Sequence, residues 1–133
     1  VERELRRLCE TYHVRRINFD GWQMRDLAAR LVSEGMPMFE FAQNNTNMVP
    51  ASQLTFDMIA NGQLVHDGDK TLRAHVLGTG GEATATGGWR FVKAKNKIGN
   101  RDPSKQNDAC IALAMAIAAW AEDNKPGGDL WVL

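Results

Sequence analysis

Apolar residues recur three and four positions apart through residues 1–12, at Val1, Leu5, Leu8, Cys9 and Tyr12, with Arg and Glu between them. This spacing predicts an amphipathic helix. After His13 the rhythm changes. Val14, Ile17 and Phe19 form a short apolar run that ends on Asp20, and Gly21-Trp22 opens the next helical period. The stretch Arg15-Arg16-Ile17-Asn18-Phe19-Asp20-Gly21 therefore reads as a buried strand that turns at once into a helix. That helix, Trp22 to Glu34, carries Met24, Leu27, Ala28, Leu31 and Val32 as its stripe, with Gly35 as its stop. Pro37 to Gln43 reads as a second strand, parallel to the first. Asn44 to Asn47 reads as a polar loop. Pro50 marks the start of a third helix with Ala51, Leu54, Met58 and Ile59 on its face and Asn61-Gly62 at its end.

Residues 63–68 form a connector, Lys70 to Leu77 a brief helix closed by Gly78. Glu82 to Thr86 and Trp89 to Lys95 alternate and meet at Gly87-Gly88, which predicts a β-hairpin. Beyond the loop Lys97 to Arg101, Asp102-Pro103 marks the start of the last helix, with Asp as cap and Pro at its first position. It runs to about Asp123, is broken by Pro126-Gly127-Gly128, and is followed by the apolar Leu130-Trp131-Val132-Leu133. Helix, strand, helix, strand in this order is the signature of an α/β fold.

With 133 residues the chain is expected to form one domain, residues 1–123, with a C-terminal tail, residues 124–133. Val1-Glu2 falls in mid-helix pattern without an initiator Met, so the sequence reads as part of something longer. Basic and acidic residues balance at 16 each, so any nucleic-acid contact must rest on local clusters. The most apolar stretch, Ala109 to Ala121, is too short and too rich in alanine to span a membrane, and no signal peptide precedes it. Cys9 and Cys110 fall on helical faces without metal-ligand spacing, the pattern of buried, reduced thiols in an intracellular protein.

Two carboxylates stand out. Open α/β sheets bind ligands at the carboxyl ends of their strands, where Asp20 falls; it is a candidate metal ligand or general base, or simply a helix N-cap. Asp108 falls about a turn and a half into the helix expected from Asp102, on a stripe continued by Ala112, Met115 and Ala119. A carboxylate there would be partly desolvated and would require a partner. Lys105, a turn earlier, can be that partner or can stabilise charge beside a metal. The alternative partner is a hard divalent cation, Mg²⁺ or Mn²⁺. Two such carboxylates can share a pair of ions in the arrangement used for phosphodiester hydrolysis.

The order of these elements resembles the C-terminal nuclease domain of phage terminase large subunits. The likeness is carried by the Arg-Ile-Asn-Phe-Asp strand ending at Asp20, the helix ending Glu34-Gly35, and Phe-Glu-Phe-Ala-Gln at 39–43. It continues in Ile-Ala-Asn-Gly-Gln-Leu-Val-His-Asp at 59–67 and Asn-Asp-Ala-Cys-Ile-Ala-Leu-Ala-Met-Ala at 107–116. The resemblance implies a ribonuclease H-like mixed sheet flanked by helices and a two-metal endonuclease that cuts concatemeric double-stranded DNA during packaging. It implies Mg²⁺ or Mn²⁺ held by Asp20 and Asp108, which match the second and third acidic ligands, with Lys105 as a further candidate. The first ligand lies on an opening strand that this chain is expected to lack, so the fold is expected to be N-terminally truncated and activity to belong to the full-length protein. The family's ATPase domain would lie upstream. Terminase small subunit, portal protein and the cytoplasm of a bacterial host follow as expected partners and location.

Arg90, Lys93, Lys95, Lys97 and Arg101 make a basic hairpin and loop, either a solvated face or a DNA-phosphate contact. In the family the corresponding hairpin borders the nuclease cleft. His66 and His75, near Asp67 and Asp69, lack metal-ligand spacing and read as local hydrogen-bonding groups, and His13 as exposed. Trp22, Trp89, Trp120 and Trp131 read as packing residues. Residues 78–88 read as a flexible glycine-rich loop and turn. The rival readings are another ribonuclease H-like nuclease of resolvase or transposase type, and a non-catalytic docking module in which Asp20 caps a helix and Asp108 pairs with Lys105.

Overall fold

The computed structural model describes residues 1–124, the Gln23 side chain excepted; the predicted break at Pro126 and the tail through Trp131 lie outside them. The chain divides into two compact units, residues 1–43 and 44–133.

The first unit contains α1 (Glu2–Thr11), β1 (Ile17–Phe19), α2 (Gly21–Ser33) and β2 (Met38–Glu40). The strands pair in parallel, Ile17 opposite Met38, Asn18 opposite Phe39 and Phe19 opposite Glu40. Parallel strands require a crossover, and α2 supplies it. Ala28 and Leu31 of α2 and Met38 of β2 are buried together, with Leu5, Ile17, Phe19, Met24, Leu27 and Met36 packed around them. This is the predicted stripe except for Val32, which is exposed. Gly35 stops α2 as expected: it adopts φ +85°, its N–H donates to the Val32 carbonyl, and the Met36 N–H donates to that of Leu31. These paired bonds satisfy carbonyls that a helix end otherwise leaves open. Ion pairs join α1 to the far end of α2. Glu2 binds both Arg6 (2.8 Å) and Arg30 (2.5 Å), and Arg6 also reaches Glu34 at 2.5 Å.

The second unit contains α3 (Asn45–Ala60), α4 (Lys70–Leu77), the antiparallel hairpin of β3 (Thr79–Ala83) and β4 (Trp89–Lys93), and α5 (Asp108–Asp123). Helix α3 packs on β4 and α5. Its buried residues are Met48, Ala51, Ser52 and Thr55, a different stripe from the predicted one; of that stripe only Ala51 is buried, and Ile59 is exposed. The polar members are hydrogen-bonded. Ser52 Oγ accepts from the Phe91 N–H at 2.9 Å, and Thr55 Oγ1 donates to the Ala51 carbonyl at 2.7 Å. Small hydroxyl residues thus let α3 lie close to β4 without stranding a polar atom. Cys110, Ala114, Met115, Ile117 and Ala119 form the buried face of α5. The Cys110 thiol is pushed above its usual pKa by burial, whereas Cys9 is only half-buried.

Two helix starts differ from the sequence expectation. Helix α3 begins at Asn45, and Pro50 lies inside it. The Asn44 side chain accepts from the Asn47 N–H at 3.0 Å, so the polar run is a cap and first turn, not a loop. Helix α5 begins at Asp108, not at Asp102-Pro103. Asp102 Oδ1 accepts instead from the Ser104 N–H (2.9 Å) and hydroxyl (2.6 Å), closing a separate turn. The hairpin is shifted from the expected one: β3 starts at Thr79 and ends at Ala83, inside the stretch read as a glycine-rich loop, and β4 ends at Lys93, two residues before the expected Lys95.

Replacing Ser52 by Ala should cost about 1–3 kcal/mol, because the buried Phe91 N–H loses its acceptor; the midpoint of a urea titration measures it. A second prediction concerns pH. The Arg6 hydrogen bond and charge hold Glu34 below its ordinary 4.5. A carboxyl depressed in the folded state stabilises fully above its unfolded pKa, and the effect is lost as pH falls through the lowered value. The stability gap between the wild type and Glu34→Gln should therefore be present at neutral pH and close as the pH falls below the ordinary glutamate value of 4.5.

Candidate functional site

Asp20 directly follows β1 and caps α2. Its backbone is extended, and Oδ1 accepts from the Trp22 N–H at 3.4 Å, longer than an ordinary hydrogen bond. The carboxylate is exposed. Glu40, which sequence reasoning passed over, ends the neighbouring strand, so both parallel strands finish on an acid. A Cβ at Gly21 would stand 2.2 Å from Glu40 Oε1, so glycine there makes room for this second carboxylate. Arg25 approaches Glu40 at 3.7 Å. The available signal was position: Glu40 closes the second parallel strand, where ligand-binding groups of α/β sheets gather.

Trp22 does not pack as expected. It is 88 % exposed and, with Gly21, Arg25 and Asp26, lines a shallow depression of about 410 Å³. Two residues before Met24, it lies roughly 200° around the helix from the buried stripe. Trp89 is half-buried and meets the Phe56 ring edge-on at 5.6 Å; Trp120 is also half-buried, and Trp131 lies outside the described residues.

Asp108 is the first residue of α5 and is exposed, not desolvated on the buried stripe. The shifted helix start is the cause. Its carboxylate has no hydrogen bond or ion pair among the described residues, and an acid in this first turn is favoured by the helix dipole. Lys105 lies in the segment before α5, exposed, so it does not share a helical face with Asp108; its charge instead helps hold Asp102 below the usual range, after the Ser104 hydrogen bonds. No Lys105–Asp108 ion pair appears among the described residues. The N-cap Asn107 is buried and makes no side-chain cap bond. His75 does so in its place: Nδ1 accepts from the Ala109 N–H at 3.0 Å.

Backbone contacts fix this corner. The Ala94 N–H donates to the Gly78 carbonyl and the Asp102 N–H to that of Ala94, while Lys95 and Arg101 form an isolated bridge. The basic positions are thereby gathered but not equally free. Glu82 binds Lys95 at 3.1 Å and Arg101 at 3.9 Å, and the Lys95 hydrogen bond lowers its pKa. Arg90 donates to Asn45 Oδ1. Lys93 is half-buried on β4 and Lys97 exposed in the loop. His66 Nδ1 accepts from the Gly68 N–H at 3.0 Å, a local bond of the kind expected, whereas the His75 partner, Ala109, is 34 residues away in the chain; His13 is exposed. No three His, Cys, Asp or Glu side chains gather as a metal-holding group among the described residues.

The family model of the terminase large subunit endonuclease domain matches residues 3–124. In fold, the chain is similar to the crystal structure of the HK97 bacteriophage large terminase, with a TM-score of 0.69 at 18 % identity. That match covers 89 % of this chain and 24 % of that one, so the chain spans about a quarter of the HK97 protein's length. No curated protein matches. The mixed α/β architecture, with five helices among the described residues, is that of the ribonuclease H-like terminase nuclease. The chain belongs to the terminase large subunit endonuclease domain family.

Proposed function

We propose that this chain is the DNA-cutting domain of a packaging terminase, a metal-dependent endonuclease that hydrolyses phosphodiester bonds of concatemeric double-stranded DNA. The family match over residues 3–124 carries the reading. Asp20 and Asp108 are the proposed metal ligands. Their chemistry fits Mg²⁺ or Mn²⁺: both are exposed carboxylates, one held by a long backbone hydrogen bond and the other without a side-chain partner among the described residues, and hard divalent ions prefer such oxygens. Asp20 and Asp108 would hold these ions, which would supply an activated water and charge stabilisation at the leaving oxygen.

The chain's own part is to hold and orient. Asp20 is fixed by the turn from β1 into α2, and Asp108 by the first turn of α5. Lys105 offsets phosphate charge on the segment entering α5. Lys93 and Lys97 contact DNA phosphates directly, with Arg90, Lys95 and Arg101 exchanging protein partners for phosphate. The reading also brings an ATPase domain of the same protein, the terminase small subunit, the portal protein and the host cytoplasm as setting. Among the described residues no helix is long and apolar enough to cross a membrane.

In the intact large subunit, Asp20→Asn and Asp108→Asn should each lower cleavage of linear duplex DNA at least about 100-fold, because each ion contributes several kcal/mol to transition-state stabilisation. Asn caps α2 as well as Asp does, and the exposed Asp108 contributes only its interaction with the helix dipole, so stability should hold to within about 1 kcal/mol. Calorimetry should show Mn²⁺ binding weakened in both variants. Undiminished cleavage and binding would leave the docking-module reading in possession. Lys97→Ala should weaken DNA binding regardless of sequence and reduce the salt slope by about one unit.

A further inference from the structure

The first turn of an α-helix presents N–H groups without helical partners, and the N-cap side chain ordinarily satisfies the one at the second or third position. In α5 the residue at the N-cap is Asn107, a strong capping type, yet it makes no such bond. The donor left over is the N–H of Ala109, the second helical residue, and its acceptor comes from another helix: His75 Nδ1, 34 residues earlier in the chain. An accepting Nδ1 carries no proton, so the imidazole is neutral with its hydrogen on Nε2.

His75 is well held. It lies in the last turn of α4. Its own carbonyl accepts from Thr79 Oγ1 at 2.7 Å, tying that turn to the first residue of β3. Gly78 next to it lacks the Cβ that would otherwise stand 2.4 Å from the Gln106 carbonyl, so the chain entering α5 lies directly against this corner. The imidazole thus bridges a rigid corner and the turn that contains Asp108.

From this geometry we infer that His75 is a positioning residue for Asp108: by capping Ala109 it fixes the first turn of α5 and with it the direction of the neighbouring carboxylate. The role rests on the nuclease reading, in which Asp108 is a metal ligand. His75 does not touch the metal or the DNA; it acts through one backbone N–H. Groups that orient a ligand from behind commonly set metal affinity by tenfold or more.

The acceptor's position gives the test. Asn places Oδ1 where His places Nδ1, Gln places its oxygen one bond farther out, and Ala has none. In the intact large subunit, His75→Ala and His75→Gln should speed amide exchange at Ala109 about fivefold, the loss expected of a cap. They should also weaken Mn²⁺ binding about tenfold by calorimetry. Turnover of duplex DNA should fall while its KM stays unchanged, and His75→Asn should restore all three. Unchanged exchange at Ala109 in both deficient variants overturns the cap. Faster exchange with undiminished Mn²⁺ affinity and turnover overturns the positioning role and leaves His75 a purely structural residue. Failure of Asn to rescue, in a variant that melts like the wild type, also overturns it. An Asp108→Asn control that binds Mn²⁺ as the wild type does would instead overturn the metal reading itself.

Discussion

The approach of the Gln106 carbonyl to Gly78 is the constraint around which the second unit is arranged. A Cβ at residue 78 would come within 2.4 Å of that oxygen, a distance real side chains do not tolerate. Gly78 closes α4 at φ −84°, a conformation open to any residue, so glycine is required there for space and not for backbone freedom. The close approach lets several weaker interactions form together. The Gly78 carbonyl takes the Ala94 N–H, which joins the end of β4 to the corner; Ala94 in turn holds Asp102, and the turn at Asp102 to Lys105 leads into α5. Remove the space at Gly78 and the His75 bond to Ala109 loses its geometry as well.

The first unit solves a similar problem with other means. Its two strands have three residues each, too few for a stable sheet alone. The burial of Ala28, Leu31 and Met38 and the Glu2–Arg6–Glu34 and Glu2–Arg30 pairs hold α1 and α2 in place around them. The ion pairs are still partly open to solvent, so packing must contribute most of the stabilisation. What the pairs add is register. Glu2 sits at the start of α1 and Glu34 just past the end of α2, so the two helices are matched end to end, and the strand ends bearing Asp20 and Glu40 are fixed by the crossover between them.

Much of this was legible in the sequence wherever periodicity was strong. Helices α1, α2 and α4 and the Gly87-Gly88 hairpin follow from spacing and stop signals alone. The starts of α3 and α5 did not, for one physical reason: Asn, Asp and Pro favour turns and helix N-termini alike, and which role prevails depends on the hydrogen bonds the side chain finds. Asp102 found Ser104 and made a turn; Asn44 found the Asn47 N–H and made a cap. The misplaced start of α5 carried Asp108 with it. Counted from Asp102 it fell on an apolar stripe; counted from its true start it is an exposed first residue. The family, by contrast, was readable from Asp20 and the 107–116 segment, because such resemblance rests on residue order and not on where a helix begins. His75 was read as a hydrogen-bonding residue, but its partner was not readable, since nothing local ties it to Ala109.

The treatment of the two acids argues for a common design. A carboxylate held by a lysine or arginine is already neutralised, and a metal ion must displace that cation before binding. Asp20 is held instead by a backbone N–H, and Asp108 stands in the first turn of a helix with no basic partner among the described residues. Backbone donors carry only partial charge. They orient an acid while leaving most of its negative charge and several lone pairs available. The same logic accounts for Lys105: displaced from the helix, it is near enough to influence Asp102 but does not quench Asp108. Helix capping and metal binding, which appear as rival explanations when the sequence is read one residue at a time, are therefore compatible uses of the Asp20 carboxylate, and under the proposed nuclease reading the cap would give that ligand its direction.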